Sequence, residues 1–491
     1  MERREFLQSA SAAAVAVTVP AQRAAAAPVA SKMIGIQVGA ASFVDEGTEK
    51  VLDEFQNDAA INTLFVATFT YGRGIAGRQV PGQPLPDHGK QSYDTDTFFG
   101  GCYTAYDPKY FISTHFKNFR APDFDNYDVL ESVLPSARKR GMKTICWFED
   151  VFRKDLPEIR PLEEKELSGD NAVTLCFNNP DYRNWLLGMA ENWARSYDID
   201  GIMWGSERQG AFSNMLGASH GRAEGGHVTC FCEFCIARAK QSGINPDRAR
   251  QGFLELQKFV TAAHQSQRPV DGYYVTLWRL LLRYPELLAW EMLWTDSLRD
   301  TYTAIYEKIK SIKPGLQVGW HIWHNNSFNP IYRAEQDLAA IAPHSDFLKM
   351  VMYHNCAGER MANYIGNVGS SMFADIPGQE LLDFHYRVMD FEERSLAEIP
   401  FTGFSADYVH RETKRAREAL KGTKTQLWPG IDVDIPTAEN HSKCIPSGTQ
   451  DAVQAAFRAG ADGVLISRKY SEMKLANLKA VGAAIKELGL A

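Results

Sequence analysis

Three cysteines crowd into "GHVTCFCEFCIARA" (226–239), in a chain of 491 residues that has eight cysteines in all. Cys230, Cys232 and Cys235 are spaced C-x-C-x₂-C. Thiols so close in sequence bridge one another badly, but they converge readily on a tetrahedral metal. Zinc is the usual choice and needs a fourth ligand, for which His227 is one candidate. A second set of reactive side chains sits where apolar runs stop. It comprises Glu149 and Asp150, Glu207 and Arg208, His321 and His324, Tyr353 and His354, and Asp432 and Asp434. Trp147, Trp204, Trp320, Trp323 and Trp428 lie in or beside the same runs. Carboxylates facing each other across an aromatic-lined cavity suit cleavage of a glycosidic bond. One protonates the leaving oxygen while the other attacks the sugar or activates water.

Among these acids Glu207 comes first, because Gly205 and Ser206 before it leave room for a substrate. Asp432, in "LWPGIDVD" (427–434), is expected to face it, with Asp434 as the nearest competitor. An acid must keep its proton near neutral pH, so Glu207 is expected to have a raised pKa, with Trp204 excluding water beside it. Glu149 and Asp150 are expected to bind hydroxyls or tune a neighbour's pKa. Arg208, His321, His324, Tyr353, His354, Trp204, Trp428 and Asp434 complete the expected substrate-binding set. Two other chemistries fit the same residues. One is a barrel that binds carbohydrate without cleaving it; the other is a metal-dependent hydrolase using His321, His324 and His354.

Those strand-end positions presuppose strands. Eight apolar runs recur: 33–39, 63–69, 143–149, 201–207, 316–322, 347–353, 426–432 and 462–468. They are continuous rather than alternating, as parallel strands buried on both faces are. Amphipathic stretches such as "NYDVLESVLPSARKRG" (126–141) and "TYTAIYEKIKSIKPG" (301–315) separate them. Strand and helix alternating eight times predict an α/β fold, a (β/α)₈ TIM barrel with long loop insertions. An open doubly wound sheet is the competing architecture. Reacting groups in such a barrel collect at the C-terminal ends of the strands. Residues 70–125 are expected to form an irregular lid over the mouth. Residues 208–300 are expected to hold the cysteine cluster and a packed helix pair.

The middle of the chain resembles the family-42 glycoside hydrolases, the β-galactosidases. The resemblance rests on "LCFNNPDYRNWL" (175–186), "WGSE" (204–207) and "CFCEFC" (230–235), in that order. It implies a structural zinc held by Cys176, Cys230, Cys232 and Cys235, and Glu207 as general acid/base. It also marks departures: Ser206 stands where that family has Asn, and the seventh strand ends in Asp rather than the family's Glu nucleophile. No organic cofactor is implied, and the oligomeric state is left open.

A net charge of −7 leaves no electrostatic footprint for nucleic acid. The expected partner is a carbohydrate substrate. The first thirty residues read as an export signal: "RREFL" (3–7), an apolar run to about Val19, then alanines. The run is too short to span a bilayer, and no later segment is apolar for 18 residues. A periplasmic or secreted protein is expected, exported folded by the twin-arginine route. Replacing Arg3 and Arg4 by Lys should then leave precursor in the cytoplasm, as cell fractionation would read; undisturbed secretion would refute the assignment.

Overall fold

The computed structural model describes residues 32–95, 100–124, 127–153, 155–221 and 228–490. The export segment 1–30 and His227 lie outside the described residues. Eight strands form the barrel: β1 Met33–Val38, β2 Thr63–Thr70, β3 Lys143–Glu149, β4 Gly201–Gly205, β5 Gln317–Ile322, β6 Phe347–Met352, β7 Gln426–Asp432 and β8 Gly463–Ser467. Each pairs in parallel with the next, and β8 returns to β1 in the register Met33↔Gly463 to Ile36↔Ile466. The sheet is closed, so the (β/α)₈ barrel is the observed fold and the open sheet is excluded.

Local chemistry accounts for the elements. The strands are buried on both faces almost throughout, which is why they lack alternation. The helix Val129–Lys139 starts at Asp128, whose carboxylate accepts from the N–H groups of Leu130 and Glu131, and it ends on Arg138 and Lys139. The helix Pro180–Ser196 starts at Asn179, with Pro180 in its first turn. Its Trp185 and Trp193 are fully buried against the outside of the barrel.

The barrel interior is layered. Its floor is Trp428 of β7 stacked on Phe347 of β6, ring centroids 3.9 Å apart, with Phe65 of β2 edge-on to both. One pleat higher, on the same inward face, come Lys349 of β6 and Gly430 of β7. Gly430 leaves room there for the lysine chain, since a Cβ would meet Lys349 Cε at 2.9 Å and displace it.

The long connections pack as follows. Residues 71–124 include the short helix Arg73–Ala76, a strand Gly101–Cys102 antiparallel to β2, and two 3₁₀ turns. Phe116 and Phe119 of this segment pack on Trp185. Between β4 and β5 come the helices Ala211–Met215, Glu233–Gln241, Pro246–His264, Tyr273–Arg283 and Glu286–Ile312. No described helix is long and apolar enough to cross a membrane.

Candidate active site

The strand ends bring one compact group of charges into the barrel mouth. Glu207, two residues beyond β4, accepts a hydrogen bond from His321 Nε2 of β5 at 2.9 Å. Register makes this contact: Gly205 lies opposite His321, and a Cβ at 205 would meet His321 Cβ at 2.5 Å. Glycine is therefore what lets the two strands present Glu207 and His321 to each other. Lys349, fully buried, donates to Gln37 Oε1 at 2.7 Å and to the Tyr353 hydroxyl at 2.8 Å. Ser467 of β8 also donates to Gln37 Oε1, at 2.8 Å. Arg360, on the helix His354–Gly369 that follows β6, donates to His324 Nδ1 at 2.8 Å.

The two glutamates of this group are driven apart. Burial, then the charge of Glu207, pushes Glu149 up to about 8, and its Oε2 is buried with no hydrogen-bond partner among the described residues. Glu207 goes the other way. Desolvation in the mouth opposes its charge, but the His321 hydrogen bond and the cations Arg360 and Lys349 outweigh that and hold it below the usual carboxylate range. Some 45% of its side chain stays exposed to the mouth. Burial, and then the charge of Lys349, lowers His321, so a neutral ring donates the Nε2 proton. Burial brings Lys349 down to about 7 against the pull of both glutamates. Tyr71 is raised well above its ordinary value, by burial first and then by Glu149 and Glu207, which puts it in the same field. The site can thus offer one protonated and one ionised carboxyl at neutral pH.

Several expected members sit elsewhere. The raised pKa expected at Glu207 falls instead on Glu149. Asp432 is fully buried and already satisfied: it accepts from Cys356 N–H at 2.9 Å and Ile435 N–H at 3.1 Å, with Cys444 Sγ 3.3 Å away. It ties the first turn of the helix His354–Gly369 to the loop after β7. Asp434 accepts from Lys474 N–H at 2.7 Å and Asn477 Nδ2 at 2.9 Å. Trp204 is on the outer face of β4 against Phe148, Phe177 and Tyr302, and Trp428 is in the floor; neither reaches a substrate. Asp150 accepts from Ser206 at 2.8 Å and from Arg208 Nε at 2.7 Å. Arg208 also pairs with Glu164 at 3.2 Å, so this group braces the loop on either side of Glu207.

The histidines do not form a ligand set. His321 serves Glu207, and His324 lies between Arg360 and the Tyr408 hydroxyl. His354 is lowered by burial against the opposing pull of Asp432 and Asp451. Tyr353 does reach the site, through Lys349. The sequence reading missed Lys349, Arg360, Tyr71 and Gln37. Lys349 did leave a signal, as a lone amine inside the apolar run "FLKMVMY" (347–353). Arg360 left none.

The four cysteines meet. The Sγ atoms of Cys176, Cys230, Cys232 and Cys235 all lie within 4.8 Å of one another, buried and unbridged. Four thiolates at a Zn–S distance of about 2.3 Å would sit ~3.8 Å apart, and Cys176 is 3.5 Å from both Cys232 and Cys235. N–H groups of Lys165, Asn178 and Cys235 point at these sulfurs, which suits sulfur bearing negative charge. The group could hold a metal ion. A cleft of about 690 Å³ opens at the opposite end of the barrel, around the ion pair of Lys310 and Asp346. That face of such barrels serves stability rather than chemistry.

No family model matches the chain, and no curated protein does. Solved structures do. The polyextremophilic β-galactosidase of the Antarctic haloarchaeon Halorubrum lacusprofundi is 14% identical with a TM-score of 0.51, covering 93% of this chain and 58% of that one. The β-galactosidase of the psychrophilic Marinomonas ef1 is 11% identical with a TM-score of 0.48, covering 94% and 61%. The PgaB (BpsB) glycoside hydrolase domain of Bordetella bronchiseptica is 10% identical with a TM-score of 0.46, covering 89% and 94%. At such identities the likeness is one of fold. The chain is a (β/α)₈ barrel, an architecture it shares with the Halorubrum β-galactosidase. It spans about three fifths of the length of the two β-galactosidases.

The two acids expected to act together should separate in a stability measurement. Asp432→Ala leaves two buried N–H groups unsatisfied and should cost about 2–4 kcal/mol. Glu207→Gln loses one half-exposed pairing and should stay within about 1 kcal/mol of wild type. Denaturant unfolding of both variants checks this.

Proposed function

We propose that the protein is an exported glycoside hydrolase in which Glu149 is the general acid and Glu207 the ionised carboxylate partner. What carries this reading is the opposite protonation of two carboxyls in one barrel mouth, Glu149 raised to about 8 and Glu207 held below its ordinary range. Glu149 gives its proton to the leaving oxygen as the bond from that oxygen to the anomeric carbon breaks, and the electron pair leaves with the oxygen. Glu207 either attacks the anomeric carbon or takes a proton from the water that does. His321 orients Glu207 through Nε2–H, and Lys349 sets the field in which both carboxyls titrate. The twin-arginine pattern supports export after folding, which allows a metal to be loaded first.

The proton on Glu149 makes activity depend on pH with a definite sign. The acid form is needed, so kcat/KM should hold through neutral pH and fall as pH rises through about 8, with Lys349 losing its proton near 7 on the way. Glu149→Gln should cripple turnover of glycosides with poor leaving groups, while sparing aryl glycosides whose leaving groups need little protonation. Glu207→Gln should slow both. A substrate-free check is available. Folding takes up a proton at Glu149, whose pKa is 4.5 unfolded and about 8 folded, so its stability penalty grows above pH 4.5. The melting temperature of Glu149→Gln relative to wild type should therefore rise between pH 5 and 8. A flat difference, or an unchanged leaving-group dependence, would reject Glu149 as the acid.

Zinc is the metal we assign to the four cysteines. Thiolate ligands in a closed, buried tetrahedron suit it, and such a site contributes to folding rather than to turnover. Elemental analysis of the pure protein should give about one zinc per chain, and Cys232→Ser should lose most of it with a lowered melting temperature. Two disulfides in place of the thiols would refute the assignment.

A further inference from the structure

Most arginines near the barrel mouth have an acid of their own. Arg468 pairs with Glu472, Arg153 with Asp155, Arg208 with Asp150 and Glu164, and Arg333 with Glu412. Arg360 differs. It makes its one hydrogen bond to a neutral acceptor, His324 Nδ1 at 2.8 Å, and its guanidinium lies 5.7 Å over the Tyr353 ring. No carboxylate of the described residues pairs with it. The groups around it are His220, His321, His324, Tyr353, Cys356 and the cation Arg468, none of them an anion at neutral pH. Glu207 is the carboxylate whose charge acts on it most strongly, and that carboxylate is already bonded to His321.

Arg360 is part buried, its remaining N–H groups have no hydrogen-bond partner among the described residues, and it lies within the field of Glu207. A guanidinium has five donors in a planar fork, and one is engaged here. If Arg360 served only to hold Glu207 ionised, a bare charge would be enough, and Lys349 already supplies one. A fork matches an anion with two or more oxygens in a way that a point charge does not. We propose that Arg360 receives an anionic substituent on the sugar in the mouth, so that the substrate is an acidic glycoside bearing a carboxylate or a sulfate ester. This rests on the glycoside-hydrolase reading and names the substrate class for it.

The test uses matched aryl glycosides: glucuronide against glucoside, galacturonide against galactoside, and a 6-sulfated galactoside against its unsulfated parent. Wild-type kcat/KM should favour the anionic member of at least one pair by about 100-fold or more, and the pair that responds tells carboxylate from sulfate. Arg360→Met should collapse that preference, losing about 100-fold more on the anionic member than on its neutral partner. Arg360→Lys, which keeps the charge without the fork and guards against a folding defect, should restore only part of it. Equal turnover of anionic and neutral members by wild type, or equal slowing of both in Arg360→Met, would overturn the proposal. If wild type cleaves none of them, it is the hydrolase reading that fails, and calorimetric binding of free glucuronate, galacturonate and galactose 6-sulfate then decides about Arg360. Binding of one of these sugars, stronger than of glucose or galactose and lost in Arg360→Met, supports it; no such difference overturns it.

Discussion

A primary amine with no access to solvent stands at the centre of this barrel, and the chemistry of the mouth is arranged around it. Burying an ammonium is costly unless hydrogen bonds and opposite charge compensate. Gln37 and Tyr353 supply the first to Lys349, and Glu149 with Glu207 the second. The compensation is unequal. Glu207 also gains His321 and Arg360, whereas Glu149 gains no hydrogen bond at Oε2. Two carboxyls that feel each other's charge cannot both ionise cheaply, and the better-served one does. The division into a protonated and an ionised carboxyl follows from this asymmetry, without any difference in residue type.

Small residues make the asymmetry possible. Gly205 lets His321 approach β4, and Gly430 leaves room for the Lys349 chain above Trp428 and Phe347. Each lies beside the side chain it admits on a neighbouring strand. Larger side chains at these positions would refill the mouth and part the charges that define it. The stacked aromatic floor does the opposite task below, sealing the amine from the far end of the barrel.

The barrel was legible because eight continuous apolar runs have few other ways to pack. The strands coincide with those runs to within a residue or two at each end. The four cysteines were legible too, since thiols at that spacing have little else to do. Side-chain direction was harder to read. Successive residues of a strand point to opposite faces, so with Gly205 opposite the inward His321, Trp204 and Trp320 have to point outward, where both pack on Tyr302. Applied strictly, that rule would have removed Trp204 from the mouth. It would not have removed Asp432, which follows the inward Trp428 and Gly430 at the right period; the N–H groups of Cys356, at a helix start, and Ile435, in a loop, claim it through tertiary packing that no period describes. Arg360 comes from a helix rather than a strand end, and depends on tertiary packing alone.

The position of Glu207 also depends on groups that never touch a substrate. Its two chain neighbours, Ser206 and Arg208, both bond Asp150, the residue after Glu149. Arg208 continues outward to the carbonyl of Leu175 at 2.9 Å, one residue before Cys176, and to Glu164 of the hairpin that Glu163–Lys165 forms with Asn171–Leu175. Lys165 of that hairpin directs its N–H to Cys230 Sγ and accepts from Phe231 N–H. The cysteine cluster is therefore joined to the backbone on both sides of Glu207 by a short run of buried polar contacts. A glutamate with half its side chain exposed would ordinarily wander among rotamers. Here its backbone is pinned at both neighbours and its carboxylate at one oxygen, so the exposure is access for a substrate without loss of aim. Ser206 stands where the resembling family has Asn, and in this protein its hydroxyl is spent on Asp150 behind the site. On the proposed reading the sugar is then gripped by other groups of the mouth, and Arg360, with one donor bonded to His324, brings unused donors to it.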